Sequence, residues 1–130
     1  MTPLLRRAGI QAHYLGWLHR PQLWKIFADH DLLVMPSTTL EAMGLVALEA
    51  QACGLPVLYQ PVPGLNEVLS TSAAPTDFTR PGAVARELQR MRGSIGRLPA
   101  LREAGLANAR RYPLSSTQRA LHALGHQVLR

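Results

Sequence analysis

The sequence predicts an α/β fold, with a parallel sheet of about three to four strands flanked by helices and a helical C-terminal end. Short apolar runs alternate with segments of helical periodicity over residues 12–60. Proline or glycine punctuates most of these segments. With 130 residues and 47% apolar content, the chain is large enough to bury one modest core.

Three apolar runs are predicted to be strands: AHYLGWL (12–18), LLVMP (32–36) and PVLYQ (56–60). The second and third are uninterrupted, as is typical of strands that are buried on both faces. Because a helical segment separates each run from the next, and the links are short, we expect the strands to be parallel.

Helices are predicted between and after these strands. PQLWKIFADH places proline in the first turn, and LEAMGLVALEAQACG (40–54) ends at a glycine with Pro56 just beyond. PVPGLNEVLS is predicted to be a loop with at most a short helix at Leu65 to Leu69. Three further helices are predicted in PGAVARELQRMRG, LPALREAGLANARRY and SSTQRALHALGHQVL, the last with Ser115 or Ser116 as its N-cap.

Charge divides the chain. Residues 1–79 hold four cations and six anions, whereas residues 80–130 hold ten arginines and two glutamates, for a net charge of +6. We therefore expect a partial α/β domain over 1–79 and a basic helical segment over 80–130 that packs on it. Such a segment suits an anionic membrane surface, or it reflects a bias toward arginine. Aromatic residues are hardly interleaved with these arginines, so nucleic acid is not an expected partner.

The sequence indicates a cytoplasmic protein, with peripheral attachment to the inner face of the membrane as an extension. Arg6 and Arg7 interrupt the apolar start of the chain, and no apolar run approaches the ~20 residues that cross a bilayer. Cys53 is the sole cysteine, as expected in a reducing compartment. His122 and His126 have helical spacing but no third ligand, so no metal site is expected.

Glu49 is unusual because it lies in the middle of an apolar helix. On the helix surface its predicted neighbours are Leu45, Val46, Ala52 and Cys53, while Gln51 points elsewhere. An unpaired carboxylate removed from water costs several kcal/mol, so it needs a cation, hydrogen-bond donors or ligand hydroxyls. From the residues alone, a structural ion pair or a position at the helix edge remains an alternative to a ligand.

The start of the same helix is a candidate ligand site. The loop from Pro36 to Met43 follows the LLVM strand, and ligands collect at the carboxyl ends of parallel strands. The free amides of Gly44, Leu45 and Val46 would face a ligand there. Ser37 either caps the helix or contacts the ligand, and Glu41 is suited to accept hydrogen bonds from hydroxyls.

These residues resemble a known family. PSTTLEAMGLVALEAQACGLPV, preceded by HYLGWL and DLLV and followed by PGLNEV, is similar to the C-terminal, donor-binding domain of retaining GT-B glycosyltransferases, the glycosyl transferases group 1. The family's hallmark is two glutamates with seven residues between them, the spacing of Glu41 and Glu49. The resemblance covers about residues 12–70, and Ala42, Met43 and Gly44 stand where the family often has Gly-Phe-Gly.

The resemblance implies a Rossmann-like half domain that binds a nucleoside diphosphate sugar, whose sugar is transferred to an acceptor with retention. It assigns Glu49 to the ribose hydroxyls and Glu41 to the donor sugar as the catalytic residue, one that stabilises the sugar without acting as a nucleophile. It places the amides of Gly44, Leu45 and Val46 near the diphosphate, with Ser37 in the same site. It implies no cofactor and no metal.

Family members usually have an N-terminal domain and, ahead of the matched region, two strands, a helix and an Arg/Lys pair. The chain starts inside the expected C-terminal domain, so we expect little or no transfer by the chain alone and a partnership with an upstream half. The missing strands would leave the 12–18 and 32–36 strands to pair directly or to present open edges. The alternative is a non-catalytic nucleotide-binding or sugar-binding module that completes or regulates a partner enzyme.

Overall fold

The computed structural model describes residues 2–38, 44–113 and 123. The predictions for Glu41, for the cap at Ser115 or Ser116 and for the pair His122 and His126 lie outside these residues. The described elements, in chain order, are α1 (Thr2–Arg7), α2 (Arg20–Asp29), β1 (Leu33–Met35), α3 (Leu45–Ala52), β2 (Val57–Tyr59), α4 (Pro63–Leu69), a 3-10 turn (Ser70–Ser72), β3 (Ala74–Pro75), α5 (Ala83–Gly93) and α6 (Arg97–Arg110).

The sheet is parallel and has the order β1-β2-β3. Leu33 pairs with Val57 in the first ladder, and Leu58 pairs with Ala74 in the second. All three residues of the central strand β2 are fully buried, which accounts for its uninterrupted apolar sequence. The predicted α/β class, with a small parallel sheet flanked by helices, is confirmed.

The predicted strand at residues 12–18 is wrong. This segment forms neither helix nor strand, and Tyr14 and Trp17 are each 93% exposed. A strand depends on a hydrogen-bonded neighbour, and within the described sheet β1 pairs only with β2, so one of its edges is open. The third strand is instead β3, which was not predicted because two residues, one of them Pro75, give no strand pattern.

Helices cover both faces of the sheet because consecutive side chains of β2 point in opposite directions. Val57 and Tyr59 belong to one apolar cluster, which includes Phe27 from α2 and Leu65 from α4. On the other face, Leu58 packs with Met91 of α5 and Leu101 of α6. The basic helices therefore contribute to the core. No helix among the described residues is both long and apolar enough to cross a membrane.

Helix α3 turns an unexpected face toward the core. Gln51 does point away from Glu49, but it is only 1% exposed, whereas Leu45 and Val46 beside Glu49 are 49% and 46% exposed. The buried face is made by Ala47, Ala50 and Gln51. A buried amide is tolerated here because Gln51 accepts a 2.9 Å hydrogen bond from Asn108 of α6 and donates one of 2.9 Å to the hydroxyl of Ser72.

A buried carboxylate fixes the junction between α5 and α6. Glu87 is 2% exposed, and its two oxygens accept hydrogen bonds from Arg90 and Arg97. The chain turns between these arginines, since α5 ends at Gly93 and α6 begins at Arg97. Two of the ten C-terminal arginines thus serve an internal ion pair.

Candidate functional site

Gly44 is the N-cap of helix α3, and its left-handed backbone, with φ of 57°, disfavours any residue with a Cβ. A Cβ added there would lie 2.9 Å from Cδ2 of Leu65. Glycine is therefore required at this position for two reasons: its dihedral angles and the close approach of α4. Leu65 of the PGLNEV segment fills the space that the missing side chain leaves.

Glu49 lies one turn further along α3, and one of its oxygens is held by α2. The indole Nε1–H of Trp24 donates a 2.7 Å hydrogen bond to Oε2, and Nε of Arg20 lies 3.6 Å from the same oxygen. The glutamate side chain is 23% exposed and that of Arg20 is 68% exposed. The arginine distance is too long for a hydrogen bond and the pair is largely solvated, so the indole is the stronger partner.

The second oxygen of Glu49, Oε1, accepts no hydrogen bond from the part of the chain that the structure describes. A carboxylate has about four acceptor positions, and only one is taken by the indole. The group is thus held in position and still able to accept hydrogen bonds from ligand hydroxyls.

The structure brings three of the predicted residues together. Leu45, Val46 and Glu49 share one side of α3 at spacings of four and three residues, and all three reach solvent. Gly44 is buried at the helix start, and Ser37 lies two residues beyond the end of β1 in a half-buried position. Glu41 lies outside the described residues.

The first turn of α3 has no acidic residue, and Gly44 supplies no side-chain cap. The amides at this end therefore have no capping acceptor from the N-cap side chain, and the helix dipole favours a negative group. At the other end of the helix, burial raises the pKa of the Cys53 thiol, and the negative charge of Glu49 raises it further. The charge of Glu49 thus acts along its own helix.

Trp24 and Arg20 are the site residues that sequence reasoning missed. The requirement of Glu49 for a partner was apparent, and an indole N–H is a donor that usually needs an acceptor when partly buried. The sequence separation is 25 residues, and only the packing of α2 against α3 brings the two side chains together. The one indication was Trp24 itself, a half-exposed tryptophan on the helix that precedes β1, whose indole N–H could donate to Glu49.

Comparisons with known proteins agree on one family. The sequence profile of the family described as "Glycosyl transferases group 1" matches residues 5–90. A D-inositol 3-phosphate glycosyltransferase from Segniliparus rotundus is 34% identical over 95% of this chain and 28% of its own length. One from Salinispora tropica is 40% identical over 74% of this chain and 20% of its own length.

Among solved structures, a sucrose-phosphate synthase from Thermosynechococcus elongatus superposes with a TM-score of 0.83 over 98% of this chain and 33% of that protein, at 22% identity. At this level of identity the similarity supports the fold alone. The chain spans about a quarter of the length of the curated relatives it matches.

Proposed function

Since the chain belongs to the glycosyl transferases group 1 family, we propose that it supplies the part of a GT-B glycosyltransferase that binds a nucleoside diphosphate sugar. The observation that carries the proposal is the carboxylate of Glu49. One oxygen is fixed by Trp24 and the other is open within the described residues. A ribose presents two adjacent hydroxyls, and a carboxylate held in this way accepts both.

The other predicted residues take roles around this contact. The amides of Gly44, Leu45 and Val46 would approach the diphosphate, because the uncapped first turn of α3 favours a negative group. Ser37, at the carboxyl end of β1, would contact the same ligand. Glu41 is proposed to accept hydrogen bonds from the donor sugar and to stabilise the charge that develops during transfer with retention.

In this proposal the donor binds without a metal or a cofactor. Transfer also needs groups that lie outside the ligand contacts named above, and we expect the isolated 130-residue chain to show little or no turnover with nucleotide sugars. A complementary glycosyltransferase half is the partner that we propose. Attachment of residues 80–130 to an anionic membrane stays a prediction, and Arg90 and Arg97 already neutralise Glu87.

A second candidate is a non-catalytic nucleotide-binding module that completes or regulates a partner enzyme. The same fixed carboxylate, with its second oxygen open within the described residues, would bind a nucleotide with or without sugar transfer. Tight nucleotide binding by the chain alone would support the module. Binding that is restored only when the complementary half is added would support the donor half of an enzyme.

Titration calorimetry with UDP, GDP and ADP tests the donor site. Replacing Glu49 by Gln keeps the size of the side chain and an acceptor for the indole but removes the charge. We expect the affinity of the preferred nucleotide to fall by about tenfold or more in Glu49→Gln, because charge-assisted hydrogen bonds are lost. Glu103→Gln is the matched control, since this exposed residue lies on α6. Equal affinities in the two variants would remove the ribose assignment.

A further inference from the structure

A second concave site lies at the carboxyl end of β3, away from Glu49. An open cavity of about 700 Å³ lies between the end of this strand and one side of α5. Its lining includes Thr76, Asp77, Arg80, Arg86 and Arg90, and it includes no residue of α3. The donor site proposed above does not use these residues, so the cavity calls for its own explanation.

Thr76 lines this cavity and carries an unpaired hydroxyl. Its backbone amide donates a 2.9 Å hydrogen bond to the carbonyl of Tyr59, which fixes the residue beside β2. The residue is 8% exposed, and its Oγ1 is buried with no hydrogen-bond partner among residues 2–38 and 44–113. Buried hydroxyls in folded proteins nearly always have a partner, so this one indicates a missing water or ligand.

Positive charge is in excess around the hydroxyl. The one lining carboxylate, Asp77, accepts hydrogen bonds from the backbone and the hydroxyl of Thr79 and so closes its own turn. Arg90 is bound to Glu87. Arg80 and Arg86 form no ion pair within the described chain, and both lie in the lining.

Arg86 occupies an unfavourable position for a cation. It lies in the first turns of α5, and its Nη1 is 3.0 Å from the point where a Cβ of Gly82 would stand, so the guanidinium folds back over the helix start. The first turn contains no acidic residue and Gly82 supplies no side-chain cap. A cation at the positive end of a helix dipole is destabilising unless an anion lies between them.

We infer that this cavity binds a small phosphomonoester. The phosphate lies between Arg80, Arg86 and the first turn of α5, and the hydroxyl of Thr76 donates to one of its oxygens. A phosphate accepts several hydrogen bonds at once, and guanidinium groups and helix N-termini are its usual partners. The cavity of about 700 Å³ leaves room beside the phosphate for a small organic group.

Nuclear magnetic resonance titration of the 130-residue chain tests this inference at constant ionic strength, with inorganic phosphate and with glycerol 3-phosphate as probes. The backbone amides of Thr76 and Ala83 are followed. We expect saturable shifts at both amides, with glycerol 3-phosphate binding at least as tightly as inorganic phosphate.

Four variants sharpen the test. Arg86→Gln is expected to weaken glycerol 3-phosphate binding by about tenfold, and Thr76→Val by about threefold to tenfold. Arg92→Gln makes the same charge change on the same helix outside the cavity lining, and Glu49→Gln alters only the donor site; both should bind as the unchanged chain does. Arg86 and Arg92 are both exposed, so neither change threatens folding.

Shifts that rise linearly without saturation, or an equal loss in Arg86→Gln and Arg92→Gln, would overturn the site. Binding of inorganic phosphate without glycerol 3-phosphate would overturn the assignment to a phosphomonoester. A loss in Glu49→Gln would mean that the phosphate binds at the donor site, which also contradicts the inference. Failure of the cavity to bind leaves the donor proposal untouched, because that proposal is tested by nucleotides and Glu49.

Discussion

The indole of Trp24 donates a 2.7 Å hydrogen bond to Oε2 of Glu49, and this contact joins α2 to α3. The glutamate therefore neither lies unpaired on an apolar surface nor depends on an ion pair. Its nearest cation, Arg20, is 3.6 Å away and mostly exposed. The packing of α2 against α3 sets the position of the carboxylate, so substitutions in α2 should change the affinity of a ligand bound to α3.

Trp24→Phe tests that dependence. The ring remains but the donor is lost, so the carboxylate gains freedom that a bound nucleotide must remove. We expect nucleotide affinity to fall by about threefold to tenfold, the effect of one hydrogen bond. Calorimetry measures the affinity. Trp17→Phe is the matched control because this indole is 93% exposed. If both variants bind equally well, the indole does not position Glu49.

Gly44→Ala should destabilise the fold. The alanine would adopt a left-handed backbone, which costs roughly 1–2 kcal/mol, and its Cβ would displace Leu65, which adds roughly 1–3 kcal/mol. Urea denaturation measures the loss in unfolding free energy. Gly9→Ala separates the two contributions, because Gly9 also has a positive φ of 73° but no atom within 4 Å of an added Cβ. A loss no larger than that of Gly9→Ala would show that Leu65 moves freely.

Much of the fold was predictable because strong local patterns decide it. The apolar runs of β1 and β2 and the punctuated helices α2, α3, α5 and α6 lie close to their predicted positions. The strand predicted at 12–18 was wrong because a short apolar run says nothing about whether a neighbouring strand is present to pair with it. Strand β3 was missed for the opposite reason, since backbone pairing to β2 creates a strand where the side chains give no signal.

The candidate site was predicted less completely than the fold. The family resemblance singled out Glu49 and Gly44, and helical spacing placed Leu45 and Val46 on the side of Glu49. Helical spacing could not tell which face of α3 is buried, because the hydrogen-bond partners of Gln51 are Ser72 and Asn108, 21 and 57 positions away. The contact between Leu65 and Gly44 depends on tertiary packing in the same way. Long-range partners of polar residues carry no local sequence pattern.

Asn108→Ala tests how much the hydrogen bond between Asn108 and Gln51 stabilises the fold. Asn108 donates hydrogen bonds of 2.9 Å to Gln51 and 3.0 Å to the carbonyl of Val68, and both it and Gln51 are buried. Leaving these acceptors unpaired should lower the unfolding free energy by roughly 2–4 kcal/mol. Urea denaturation measures the change, and Glu103→Ala on the exposed side of α6 should stay within about 0.5 kcal/mol.

The double variant Gln51→Leu with Asn108→Leu refines the same measurement. Replacing both amides by apolar side chains removes their mutual hydrogen bond and leaves neither amide unpaired, although Val68 and Ser72 each lose a donor. The loss should therefore be smaller than the sum of the two single changes. A strictly additive result would show that the two amides stabilise the fold independently.

The pH dependence of Cys53 alkylation reports the charge of Glu49. Burial, and next the charge of Glu49, raise the pKa of this thiol above its ordinary value of 9.0. The folded state therefore favours the neutral thiol, and the stability that this provides is present below that value and is lost as the pH rises through the folded pKa.

In Glu49→Gln the electrostatic contribution disappears, so the folded pKa of the Cys53 thiol falls and the thiolate forms at lower pH. Rates of reaction with iodoacetamide across the alkaline range should show the midpoint moving down in Glu49→Gln and staying in place in Glu103→Gln. An unchanged midpoint in Glu49→Gln would mean that burial alone raises the pKa of the thiol, without a contribution from the charge of Glu49.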